Sequence, residues 1–352
     1  MRVIPPITIT SSKLASTTVV EVAPALWSGA TTYALDTTVS IAGTLGVRSV
    51  YKSLQASNLN HAPASNPTWW EYLNDTYQAY STGTTYALGE RVNDNTNHLA
   101  YESAVAGNLN QPLTDITKWL PLGANNTYAM FDLLRNTQSI SNGTQTIVVN
   151  PGERVDSIAF VGLSASSIRI VSESSSLTIY DKTYTLSRRK TTGWYSYFFG
   201  TFYNTPTLVV FDLPPVSNAT ITITVTNLNG QVKVGGIIFG KNTFIGYTQY
   251  GAENSVINFS EIKRTFDSGL SELVQRRNVS TTKQQLLIPA DLIDTARYIR
   301  DSLNAVPAMW FGIDDIDSPF FESLAILGII RNFPINNAYT EHAIITLELE
   351  EI

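Results

Sequence analysis

Cysteine is absent, which excludes disulfide bridges, zinc–thiolate sites and thiol catalysis. Charge is scarce too. Asp, Glu, Lys and Arg make up 15% of the 352 residues, against roughly 25% in typical globular chains. Thr, Ser and Asn fill the polar surface instead, a composition that suits a β-rich assembly protein. The net charge of −6 and a pI near 5.2 come with no basic stripe, which argues against a nucleic-acid partner. The richest basic spots, Arg188-Arg189-Lys190 and Arg276-Arg277, read as loop or interface charges. No run of about 18 apolar residues occurs, so no membrane insertion is expected. The start of the chain has Arg2, then Pro5-Pro6 and a Thr/Ser-rich run, without the apolar core of a leader peptide. Synthesis in a cytosol is therefore the expectation.

Catalytic signatures are equally sparse. No G-x-S-x-G, H-E-x-x-H or Walker loop occurs. There are three histidines. His61 and His98 fall in loops at non-equivalent places and read as surface residues, while His342 beside Glu341 starts a strand. Asp314-Asp315-Ile316-Asp317 has oxygen ligands for a hard cation but lacks the spacing and central glycine of an EF-hand loop, so a solvated turn is the reading. A glycosidase needs two carboxylates placed by the fold, and no pair is marked here. The expectation is a protein that is not an enzyme and has no cofactor and no metal.

What is present is one motif written twice. The first copy runs Trp27, Thr31-Thr32-Tyr33-Ala34-Leu35, Val39, Tyr51, Asn58-Leu59-Asn60, Pro63, Trp70. The second runs Tyr80, Thr84-Thr85-Tyr86-Ala87-Leu88, Val92, Tyr101, Asn108-Leu109-Asn110, Pro112, Trp119. Only the intervening loops differ in length, so the chain holds a duplicated module of about 50 residues. The pattern resembles the small chitin- and cellulose-binding modules of carbohydrate-binding families 5 and 12, with their W-x5-Y-x2-G-D-x-V, G-x2-Y, P and W signature. Gly89-Glu90 fits the family turn. Asp36 stands in place of the glycine in the first copy, where a changed turn is expected. With Tyr128-Ala-Met-Phe-Asp132 after the second copy, the wording also resembles bacteriophage tail and baseplate proteins. The resemblance covers about a third of the chain.

The remaining segments read as β structure with one helical unit. Residues 1–24 form an extended arm with strand chemistry at Val3-Ile4, Ile7-Thr8-Ile9 and Val19-Val20-Glu21-Val22. It is too short to bury its own face and adds to a neighbouring sheet or subunit. The repeats occupy 25–75 and 76–123, each a sheet of two or three short strands. Residues 124–240 carry strands at 146–149, 155–161, 168–171, 177–180, 207–211 and 219–226. Asn229-Gly230 signals a hairpin, with a returning strand over 231–239. This spacing indicates a β-sandwich, jelly-roll-like. Residues 241–352 form an α+β unit. Pro289 opens a helix with Leu292, Ala296, Ile299 and Leu303 on one face, and strands follow at 325–330 and 343–349. The fold class is mainly β: two small β-repeat modules, a jelly-roll-like β-sandwich and a small C-terminal α+β domain.

The resemblance implies carbohydrate binding by stacking of sugar C–H groups on Trp27, Tyr33 and Trp70 in the first copy, and Tyr80, Tyr86 and Trp119 in the second. The same rings have a second use, as the core of a tiny fold. Trp69, beside Trp70, points to the opposite face, so one of the pair is a candidate for exposure. The resemblance further implies a virion protein of a tailed phage, at the tail tip or baseplate, assembled in the host cytoplasm. Its expected partners are other tail proteins, copies of itself and host surface polysaccharide, bound weakly by each module and strengthened by repetition. A secreted carbohydrate-active enzyme or accessory subunit is the alternative, and an adhesin a third. A secreted enzyme would show a leader and a larger catalytic domain.

Overall fold

The computed structural model describes residues 1–189, 193–201, 203–264, 269–316, 318–336 and 339–352. Lys190 and Asp317, singled out above, lie outside them. The fold is mainly β. Both repeats have the same strand plan. In the first, Thr38–Ala42, Val47–Ser53 and Trp70–Ala79 form an antiparallel ladder, capped by the pair Thr32–Tyr33 and Asn58–Leu59. In the second, Arg91–Asp94, Leu99–Ser103 and Trp119–Ala124 do the same, capped by Thr85–Tyr86 and Asn108–Leu109. The modules are fused edge to edge. Gln78 and Ala79 pair in parallel with Val92 and Asn93, so one six-stranded sheet runs through both copies.

That joint depends on Gly46. The turn after Thr38–Ala42 leans on the second module, where the Arg91 amide donates to the Leu45 carbonyl at 3.0 Å. Gly46 has φ +79°, and a Cβ there would sit 2.2 Å from the Arg91 carbonyl oxygen. The obstacle is backbone, so no rotamer relieves it. Gly46→Ala is expected to cost more than about 2 kcal/mol and to part the two modules. Faster proteolysis between residues 80 and 90 reads this out, and unchanged cleavage would contradict it.

Residues 124–240, joined by Leu14–Thr17 of the arm, form two facing sheets. The five-stranded one has Leu177–Thr185, Ser167–Ser174, Thr220–Val234, Ser139–Val149 and Leu14–Thr17 in that order; the three-stranded one has Leu208–Val210, Ser157–Val161 and Gly236–Gly240. A hairpin at Asn229-Gly230 does not form. The strand Thr220–Val234 runs straight on, with residues 227–230 bulging opposite Gly143. Beyond the bulge, Gln231 to Val234 keep pairing with Ser139 to Asn142, so the tertiary ladder overrides the local turn signal. The chain then crosses to the other sheet as Gly236–Gly240.

The C-terminal sheet contains, in order, Thr243–Phe244, Arg2–Ile4, Ala308–Phe311, Ala325–Asn332, His342–Glu351, Asn278–Pro289 and Tyr247–Thr248. The helix Ile293–Ser302 covers one face through Ala296, Ile299 and the following Leu303. Pro289 ends a strand rather than opening the helix; a short 3-10 turn, Ala290–Leu292, intervenes. The opposite face meets the outer face of the three-stranded sheet.

Alternation along each strand shows how these layers are glued. Ala308 and Trp310 face the helix, while Met309 and Phe311 face the sandwich. Ile158 and Phe160 point into the sandwich, while Ala159 and Val161 meet Met309 and Phe311 in a shared core. Strands buried on both faces read as unbroken apolar runs, as Ser157–Val161, Gly236–Gly240 and Ala308–Phe311 do.

The arm threads all of this. Arg2–Ile4 lies inside the C-terminal sheet, and Leu14–Thr17 edges the five-stranded one. Ile7-Thr8-Ile9 and Val19-Val20-Glu21-Val22 lie outside any strand. In the second segment side chains take the backbone groups that a ladder would use. Asn74 brackets Val20, accepting from its amide at 2.9 Å and donating to its carbonyl at 3.1 Å. Thr76 and Asn93 donate to the Glu21 carbonyl at 2.6 and 3.1 Å. The Glu21 carboxylate accepts from Asn125 at 2.6 Å and lies 2.7 Å from His98 Nδ1. His98, stacked on Tyr128 at 3.8 Å, is half-buried at this joint rather than a surface residue.

Candidate functional site

Each module is built around three residues, Tyr33, Val39 and Trp70 in the first and Tyr86, Val92 and Trp119 in the second. The Tyr33 and Trp70 rings meet edge to face at 5.3 Å and 71°, and Tyr86 and Trp119 at 5.2 Å and 71°. The polar framework repeats with the rings. The Ser28 amide donates to the Tyr33 hydroxyl at 2.8 Å, and the Ser81 amide to the Tyr86 hydroxyl at 2.7 Å. Asn58 donates to Ser53 Oγ at 2.9 Å, and Asn108 to Ser103 Oγ at 3.0 Å. Trp70 Nε1 donates to the His61 carbonyl at 2.7 Å, and Trp119 Nε1 to the Gln111 carbonyl at 3.1 Å. The duplication legible in the letters is thus a duplication of individual hydrogen bonds.

This geometry removes four rings from the carbohydrate-stacking set. Trp119 is 0% exposed, Tyr86 1%, Trp70 2% and Tyr33 9%. A sugar face cannot reach them without unpacking the module, because a fold this small has little else to bury. They are packing residues. Trp27, Trp69 and Tyr80 are half-buried. Tyr80 packs on Trp119 and donates to the Gln111 carbonyl at 2.6 Å. Trp27 takes its place in the first module, but its Nε1 is buried without a hydrogen-bond partner among the described residues.

The changed turn expected at Asp36 is absent. Asp36 has φ +63° and Gly89 φ +78°, and their amides donate to the Ser53 and Ser103 carbonyls at 2.9 and 2.8 Å. Asp36 holds the glycine conformation at a backbone cost. Asp36→Gly is expected to stabilise the first module by about 0.5–1 kcal/mol. Slower amide exchange across residues 32–59 measures this; faster exchange would contradict it.

Outside their shared cores the modules diverge. Trp69 and His61 in the first correspond to Lys118 and Gln111 in the second. His61 stacks on Trp69 at 3.8 Å and 11°, and its Nδ1 lies 3.2 Å from Asn58 Oδ1. The equivalent Asn108 Oδ1 is buried without a partner among the described residues. Tyr51 pairs across the ladder with Tyr72, whereas the equivalent Tyr101 pairs with Pro121. Tyr51 and Tyr72 are half-buried, 5.5 Å apart, and line a cleft of about 490 Å³ with Pro63, Pro67, Glu71 and Asn142. Burial, then the Asp75 carboxylate, pushes both phenols above their ordinary value, so they remain neutral donors. The surface aromatics therefore gather on the first module. Tyr72 lies outside the repeated motif, so the repeat itself gives no signal for it.

Elsewhere, Asp314 is bound by Arg2 at 2.9 Å, and no cluster of three or more His, Asp or Glu among the described residues is placed to hold a metal. His342 stacks on Tyr339 at 4.6 Å. No helix among the described residues is long and apolar enough to cross a membrane. Comparison with protein-family models, with curated proteins and with solved structures finds no match to this chain.

Proposed function

We propose that this chain is a structural component of a tailed bacteriophage tail tip or baseplate, whose first module contacts host surface polysaccharide. The observation that carries the assembly reading is the segment from Glu253 to Val274. Glu253–Asn258 extends the C-terminal sheet at its edge, and Glu261–Arg264 pairs with Ser271–Val274 as an outlying ladder. Among its described residues Val256 is 52% exposed, Phe259 53%, Ile262 58% and Leu273 69%. Exposed apolar strands at a sheet edge are a liability in a lone protein and a docking element in an assembled one.

The polysaccharide reading rests on Trp69 and Tyr72, whose counterparts in the second module are Lys118 and Pro121. The neutral phenols of Tyr51 and Tyr72 share a cleft with Glu71, and the half-buried Trp69 indole adds a face stacked on His61; together they offer stacking surfaces with donors and an acceptor around them. The second module keeps the core without those faces and acts as its scaffold. An antibody against the chain is expected to label the tail tip of purified particles in electron micrographs; unlabelled tails overturn the assembly reading. Trp69→Ala and Tyr72→Ala are expected to weaken retention on host envelope polysaccharide by about tenfold or more, roughly the loss of one stacking contact each. Both side chains are half-buried, and Trp69 packs against the core of the first module, so unchanged amide-exchange protection at Val39 is the control that retention is read against. Unchanged retention in both variants overturns the sugar reading alone.

A further inference from the structure

The loop that leaves the sandwich between Ser187–Arg188 and Tyr203–Asn204 carries the helix Trp194–Phe199, of sequence Trp-Tyr-Ser-Tyr-Phe-Phe. All five rings are exposed: Trp194 81%, Tyr195 79%, Tyr197 51%, Phe198 64% and Phe199 72%. Tyr203 at the loop base adds a sixth. The rings touch one another, with Trp194 stacked on Phe198 at 6.3 Å and Tyr195 against Phe199 at 5.3 Å. Among the described residues no ring contact joins them to a ring of the protein body. They form a projecting aromatic knob.

Two observations decide what covers it. The first is angular. At about 100° per residue, the five rings span roughly 200° of the helix circumference. A helix that packs by one face typically presents an apolar stripe of about 100° or somewhat more, so this arc is wider than one such face needs. A medium that surrounds the tip covers it all. The second is charge. From residue 182 to 211 the sequence has no Asp or Glu but has Lys182, Arg188, Arg189 and Lys190, in a chain of net charge −6. Lys182 is bound to Asp212, and Arg188 lies near Glu322 at the loop base. Arg189 sits at the knob itself, its guanidinium 5.3 Å from the centre of the Tyr197 ring. Trp and Tyr beside cationic side chains is the chemistry of the bilayer interface, where amphipathic rings sit at headgroup level.

We propose that the helix Trp194–Phe199 docks at the headgroup–acyl boundary of a bilayer that carries anionic lipid. Docking of this kind needs no spanning helix, and it rests on nothing in the repeats, so it stands or falls apart from the polysaccharide reading.

The test uses the full chain with vesicles of phosphatidylcholine alone or mixed with phosphatidylglycerol. Co-sedimentation measures partition, and quenching by brominated acyl chains measures ring depth. The chain is expected to bind the mixed vesicles, to lose binding with added salt, and to show quenching that Trp194→Phe removes while binding persists. The double variant Trp194→Ser with Phe198→Ser is expected to bind about tenfold more weakly or worse, and Arg189→Gln to lower binding to mixed vesicles only. Among the described residues the ring contacts of Trp194 and Phe198 are with Tyr197, Phe199 and each other, so the double variant is expected to keep its thermal midpoint, which checks that the body stays folded. Absence of partition into either vesicle overturns the proposal, as does undiminished partition of the double variant. A double variant that changes only the oligomeric state assigns the knob to a second copy of the chain and overturns it as well.

Discussion

Replacing Trp119 with alanine is expected to unfold the second module while the rest of the chain stays folded. Trp119 is fully buried, and the buried apolar core beside it consists of Tyr86 and Val92. A Trp→Ala change in a core costs about 3–5 kcal/mol, and here it also strips the Gln111 carbonyl of a hydrogen bond. A module of this size has little more stability than that to lose. Amide exchange mapped along the chain should lose protection across residues 85–124 and keep it across 139–240. Protection retained at Tyr86 and Val92 would show that the ring is dispensable. For the same reason, alanine at Trp70 or Trp119 cannot report on a ligand. Lost binding there follows from unfolding, which is why Trp69 and Tyr72 are the informative positions.

The second large effect is expected at Ile4. It is 0% exposed and sits where the arm, the three-stranded sheet and the C-terminal sheet meet, with Ala159, Val161, Ile238, Met309 and Phe311. Ile4→Ala removes apolar volume from a joint rather than from one layer, at about 2–5 kcal/mol. Thermal unfolding should drop by several degrees and separate into two steps, because the sandwich and the C-terminal sheet lose their common core. A single transition at the original temperature would show that other contacts hold them together. Val3, one residue earlier, faces the helix-covered core instead. Val3→Ala should lower the midpoint without splitting it.

Much of this architecture is legible in the sequence where periodicity is strong. The strands at 146–149, 168–171, 219–226 and 343–349 and the helix face of Ala296, Ile299 and Leu303 all appear, because each has one buried side to pattern it. The repeats are legible for a different reason: the same hydrogen bonds demand the same Ser, Asn, Tyr and Trp at the same offsets. What the letters leave open is which side of each ring meets solvent. The motif that marks a sugar-binding module also marks its core, and only packing separates Trp70 from Trp69. Asn229-Gly230 misleads because a turn signal is local while its neighbours pair with Ser139 to Asn142, far away in the chain. The aromatic knob and the outlying ladder escape for the opposite reason. Neither has a buried face, so neither writes a period into the sequence.

The placement of Arg2–Ile4 between Thr243–Phe244 and Ala308–Phe311 also sets an order in time. Arg2–Ile4 cannot find its partner Phe311 until some three hundred further residues have been made. Contacts so distant along the chain form late and slowly. The two modules, whose ladders close within short stretches, can fold while synthesis continues. Arg2–Ile4 must stay out of wrong pairings in the meantime, and Pro5-Pro6, which interrupt the backbone donors that follow it, keep that strand to three residues. Arrival of Ala308–Phe311, rather than collapse of any one part, is the event that locks the arm into its sheet.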